Sequence, residues 1–115
     1  MNLLLALEVD ALVEALALAT AGGVPGERLV EVMQSSMGRA PVLDVKAPNI
    51  LQNKFAPSFP LRLMHKDLTL ALDLAKQLNV SLPVGTAARE TYDKVLRAAR
   101  EDVDFSAVAQ YYQKA

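Results

Sequence analysis

An all-α, multi-helix domain with a long apolar first helix is what this sequence predicts, and three observations carry the prediction. Apolar residues make up 52% of the chain while aromatics supply only 5%, so the core is built from Leu, Ala and Val. Ala and Leu lead the helix propensity scale. Apolar positions recur at helical spacing through most of the chain, the breaks carry helix-capping residues, and no segment reads convincingly as a strand.

Five or six helices follow in order. The first runs from about Asn2 to Ala21, where Gly22-Gly23 offers a left-handed cap. Leu5, Val9, Leu12, Leu16 and Ala19 form its main seam, with Leu4, Ala11, Ala15 and Leu18 beside it. A helix apolar on most sides must be buried on most sides, at the centre of a helical cluster or at a subunit interface. A second helix covers roughly Gly26 to Ser36, with Leu29, Val30 and Met33 inward, and ends at Ser35, Ser36 and Gly38. A weaker third helix spans Ala40 to Val45, and Pro48 is expected to break any continuation. Asn49 to Pro60 reads as loop, with Pro60 fit to be the first residue of the next helix, where a missing N–H costs nothing.

That helix runs to Leu78 and stops near Asn79, with Met64, Leu68, Ala71, Ala75 and Leu78 as its seam. Lys66 lies two residues after Met64, roughly 200° around a helix of about 3.6 residues per turn, so it points off the core face. From spacing alone a solvated lysine is the plainer reading, and an anion-binding lysine the sharper one. Ser81-Leu82-Pro83 opens a further helix to about Arg100, with Val84, Ala88, Thr91, Val95 and Ala99 on one face. Glu101-Asp102 marks a break, and Asp104 can cap a last helix, Phe105 to Gln113, by accepting a backbone N–H.

Composition excludes several function classes. The 115 residues suit one domain. A net charge of −1 offers no general attraction to nucleic acid or anionic membrane. With no cysteine there is no disulfide, thiolate site or cysteine nucleophile. Met1 to Ala21 is long enough to span a bilayer, but Glu8, Asp10 and Glu14 in its middle argue against it. There is no basic n-region for a secretory signal, and a cytoplasmic or organelle-matrix location is expected.

Catalytic constellations are scarce. His65 is the single histidine, so a histidine-based metal cluster is out, and no metal site is expected. The five glycines form neither GxGxxG nor a P-loop, and no nucleophile elbow is present. The carboxylate pairs Glu8/Asp10 and Glu101/Asp102 suit helix surfaces and ends. Ser35-Ser36-Met37-Gly38-Arg39 could present hydroxyls and N–H groups to a ligand, although a helix-ending turn explains it more simply.

The order of segments nevertheless resembles the C-terminal helical domain of the β-hydroxyacid (3-hydroxyisobutyrate) dehydrogenases. The resemblance rests on Asn2-Leu3-Leu4-Leu5-Ala6-Leu7, Glu14 to Ala19, Ser35 to Arg39 and Phe55-Ala56-Pro57-Ser58-Phe59. Its strongest part is Leu63 to Ala71, and Leu82-Pro83-Val84 and Asp104 to Ala107 follow in order. The resemblance implies the 6-phosphogluconate dehydrogenase C-terminal-like fold. Residues 1–115 would be a single domain that closes the active site and makes the oligomer contacts. A Rossmann domain binding NAD or NADP would lie outside this chain.

The implied reaction is hydride transfer between NAD(P) and a short β-hydroxyacid or its semialdehyde. The family's acid/base lysine sits four residues before the Asn that Asn2 matches, so it too would lie outside, and Met1 stands where the family has a neighbouring Asn. Asn2 is implied as a supporting catalytic residue, Lys66 and Phe59 as cofactor contacts, and Lys66, Ser35 and Ser36 as substrate contacts. Asp67 is expected to pair with a helix-start N–H or a nearby cation. The chain alone should be catalytically silent and bind no cofactor, and a homodimer or higher oligomer through the first helix is expected. Two alternatives stay open: a self-standing helical association module, dissociated by glutamate at Leu5 and Leu12, and a catalytically inactive family member.

Overall fold

The computed structural model describes residues 1–113. Five α-helices follow one another: α1 (Asn2–Ala21), α2 (Gly26–Gln34), α3 (Pro41–Leu51), α4 (Leu61–Gln77) and α5 (Pro83–Ala98). A 3-10 helix over Phe105–Tyr112 comes last. Among the described residues there is no strand; a single antiparallel bridge joins Pro60 to Asp104.

Three helices end the same way. After α1, Gly23 takes φ 90°, its N–H bonds Thr20 O, and Val24 N bonds Ala19 O. Asn53 after α3 and Asn79 after α4, both at φ 57°, repeat the pattern, with Lys54 N on Asn49 O and Val80 N on Ala75 O. Each left-handed residue lets the chain satisfy carbonyls that the helix end would orphan. The caps expected at Gly22-Gly23 and near Asn79 are therefore present, and Pro83 opens α5 as its first residue.

α1 packs against every other element and is the centre of the fold. Its buried face is Ala6, Val9, Leu12, Val13 and Leu16. Tyr92 of α5 is fully buried against it and donates its hydroxyl to Ala6 O at 2.9 Å, so the one polar atom of that ring is paired. The expectation that α1 is buried on most sides is only half met. Leu4 is 50% and Leu18 79% exposed, and Ala11 and Ala15 between them are exposed too. A largely apolar stripe, interrupted by Glu8, thus runs along the outer surface of the helix.

Other expectations need correction. Pro48 does not end α3, which continues to Leu51 with the proline inside it. The ring forfeits one hydrogen bond, but Leu43, Ala47 and Ile50 are buried on one face and hold the helix on the core. Pro60 caps α4 rather than starting it. The inward face of α5 is Ala88, Tyr92 and Val95, while Val84 is 65% exposed; Leu78, expected in the α4 seam, is 63% exposed. The last element is a 3-10 rather than an α-helix, capped as expected by Asp104, which accepts from Ser106 N at 3.1 Å. No helix among the described residues is long and apolar enough to cross a membrane.

Candidate functional site

The start of α1 meets the middle of α4 in this fold. The side-chain amide of Asn2, the first residue of α1, donates to Asp67 Oδ2 of α4 at 2.6 Å. A carboxylate only accepts, so the Asn2 nitrogen must face Asp67 and its Oδ1 must face away. The bond is short and charge-assisted, which fixes the carboxamide more firmly than a neutral contact would. Asp67 therefore does not pair with a helix-start N–H. It is the seventh residue of α4, beyond the first turn in which the helix terminus favours an anion.

Lys66 precedes Asp67 and is exposed. It makes no ion pair or side-chain hydrogen bond among the described residues, unlike Arg28, Arg39, Lys46, Arg62 and Arg97, which all do. An exposed ammonium with no partner among the described residues is free to meet an anionic group. Behind it, His65 Nε2 meets Asp93 Oδ1 at 3.0 Å, and Arg97 Nε binds the other oxygen at 2.7 Å. His65 thus helps join α4 to α5, with Arg89 Nε donating to Thr69 Oγ1 one turn further on.

Phe59 lies in the loop two residues before α4, and Lys66 is the sixth residue of that helix. Its ring is half-buried and meets Phe105 edge-on, with centroids 6.2 Å apart. Ser35 and Ser36 are not joined to this group by any contact. The Ser35 hydroxyl donates back to Glu31 O and Val32 O, the Ser36 hydroxyl to Met33 O, and Gly38 N closes the turn on Ser36 Oγ at 3.2 Å. Ser36 borders a mostly apolar cleft between α1 and α2, lined by Ala11, Ala15, Val32 and Met37.

Two charged clusters went unread in the sequence. Lys46 and Asp104 form a buried ion pair, Nζ to Oδ2 2.9 Å, with side chains only 8% and 4% exposed. Burial would raise the Asp104 carboxyl, but hydrogen bonds from Ser106, the Phe59 N–H and Lys46 outweigh it and hold its pKa down at about 2. The signal for Lys46 was available: Leu43, Lys46, Ala47 and Ile50 share one helical face. Ending α3 at Val45 hid it. On α1, burial first and the Glu14 charge second raise Asp10 to about 6, and the Tyr112 hydroxyl, 3.5 Å from Asp10 and 3.1 Å from Glu14, partly offsets them. No group of three or more His, Cys, Asp or Glu among the described residues is placed to hold a metal.

The family model described as NAD-binding of NADP-dependent 3-hydroxyisobutyrate dehydrogenase matches residues 1–112. The glyoxylate/succinic semialdehyde reductase 1 of Arabidopsis thaliana is 32% identical over 109 residues, which are 95% of this chain and 38% of the relative. The 3-sulfolactaldehyde reductase of Escherichia coli K12 is 37% identical over 98 residues, 84% of this chain and 33% of the relative. A solved structure of Mycobacterium tuberculosis 3-hydroxyisobutyrate dehydrogenase with L-serine superposes with a TM-score of 0.87 at 31% identity, covering 98% of this chain and 41% of that one. The chain spans from 38% down to 18% of the length of the curated relatives it matches. The all-helical fold and the match along nearly its whole length lead to one assignment: the chain belongs to the 3-hydroxyisobutyrate dehydrogenase family, in the part its model describes as NAD-binding.

Proposed function

We propose that this chain is the helical, C-terminal part of an NAD(P)-dependent oxidoreductase acting on a short β-hydroxyacid or its semialdehyde. The observation that carries the reading is the Asn2–Asp67 pair with the unpaired Lys66 beside it. Asn2 presents its Oδ1, and one remaining N–H, in a fixed direction at the start of α1. Lys66 supplies a cation that orients a substrate carboxylate or a cofactor phosphate. The nicotinamide, when bound, supplies or accepts the hydride, and Phe59 offers a flat apolar surface for it. The hydroxyl protons of Ser35 and Ser36 are engaged within their turn, so their oxygens would accept from a substrate hydroxyl rather than meet its carboxylate. The acid/base lysine and the pyrophosphate turn are assigned to residues preceding this chain.

The test is the coding sequence upstream of Met1. A Gly-x-Gly-x-x-Gly turn about 160 codons upstream, roughly one domain's length, with Lys four residues before Asn2, is the expected result. The nucleotide turn without that lysine would mean an inactive relative. A stop codon directly before Met1 would contradict the reading and favour a helical association module. That second reading draws on the exposed Leu4–Leu18 stripe of α1, which the enzyme reading assigns to contacts between subunits.

A further inference from the structure

We propose that the Lys46–Asp104 ion pair is a positioning device for Phe59, holding the loop that offers this ring to the nicotinamide cleft; the inference rests on the function proposed above. Asp104 gathers three separate segments. From α3, the Lys46 ammonium reaches its two oxygens at 2.9 and 3.1 Å. From the loop, Oδ1 accepts Ser58 N at 3.1 Å, Phe59 N at 3.0 Å and the Ser58 hydroxyl at 3.2 Å. From the 3-10 helix, Oδ2 accepts Ser106 N at 3.1 Å and the Ser106 hydroxyl at 2.6 Å.

The neighbouring backbone completes the clasp. Phe59 O accepts from Phe105 N at 3.0 Å, and Leu61 N donates to Val103 O at 2.8 Å. Both main-chain polar groups of Phe59 are thus tied to residues 104 and 105, while its ring remains half open. Lys46 also bonds Ser58 Oγ at 2.8 Å and sits 4.9 Å from the Phe105 ring, the ring on which Phe59 rests. A buried ion pair adds little net stability over well-packed apolar residues of the same volume. What it does add is direction: the carboxylate needs its donors in one arrangement, and that arrangement fixes a loop carrying Pro57 and Pro60 immediately before α4.

The experiment is a double-mutant cycle on kcat in the protein made from the complete reading frame. Asp104→Asn and Phe59→Ala are each expected to lower kcat about tenfold or more through lost orientation. If Asp104 acts through Phe59, adding Asp104→Asn to Phe59→Ala costs nothing further. Losses that multiply would overturn the proposal. Ser58→Ala, which keeps the ion pair, serves should Asp104→Asn fail to fold: it should lower kcat in the wild-type background only, and an equal loss in both backgrounds would overturn the proposal. A wild-type protein without NAD(P)H turnover would refute the function and with it the catalytic role of the clasp. Amide exchange at Ser58 and Phe59 in this chain would then still report separately whether Asp104 anchors the loop.

Discussion

The residue with most at stake in this fold is Asp104. Its carboxyl stands at about 2, below the ordinary 3.8, so the folded state binds its proton more weakly than the unfolded chain does. The stabilisation is complete above about pH 4 and is lost as pH falls toward 2. Asp104→Ala strands the buried Lys46 ammonium and should cost about 3–5 kcal/mol, read as a lower urea midpoint at pH 7, with the gap to wild type closing toward pH 2. Asp10 works in the opposite sense. Its pKa is raised to about 6, so the charged form is disfavoured by folding and its cost grows as pH rises from about 4 through 6. Asp10→Asn should therefore raise the midpoint at pH 8 and leave it nearly unchanged at pH 4. Of these groups only the capping role of Asp104 was legible in the sequence, because a cap is a local bond. Its partner Lys46 is 58 residues away, and the Asn2–Asp67 bond spans 65; spacing rules do not reach such pairs.

Among the elements, α1, α2, α4 and α5 were readable to within one or two residues, because their caps and apolar seams agree. α3 was not, because a proline rule outweighed a short seam. Pro48 lies on the exposed side while Leu43, Lys46, Ala47 and Ile50 hold the other, so tertiary burial overrides the local penalty. Pro48→Ala should restore the hydrogen bond to Asp44 O and raise stability by about 1–2 kcal/mol, less than the full proline penalty because the unfolded chain also gains freedom. Thermal unfolding would show it; an unchanged or lower midpoint would mean the ring packs usefully where it is. The face of α5 was misread by one position: Thr91 was taken as inward, while Tyr92, with its hydroxyl on Ala6 O, fills the core. A tyrosine fits a core position only when a distant acceptor is available, and the sequence does not display that acceptor.

For the whole molecule, α1 is both the centre of the domain and an outward apolar face. The two roles separate by mutation. Leu12 is buried, so Leu12→Glu should unfold the chain rather than dissociate it, and Leu5, which packs against the core, is a poor probe for the same reason. If α1 carries the proposed subunit contacts, Leu18→Glu, on the exposed stripe, should leave helicity intact and lower the mass seen by light scattering; an unchanged mass would contradict contacts through α1. The candidate site follows the same logic. Asn2 and Asp67 meet at the N-terminal end of α1, and Lys66 precedes Asp67 in the chain; the proposed function has a preceding nucleotide domain join there. One measurement tests this directly: NAD(P)H oxidation with a panel of short semialdehydes by the protein from the complete reading frame, compared with its Lys66→Ala variant. The expected result is turnover that falls on the order of a hundredfold in the variant through lost substrate and cofactor orientation. Absence of turnover with every semialdehyde, or turnover indifferent to Lys66, would contradict it.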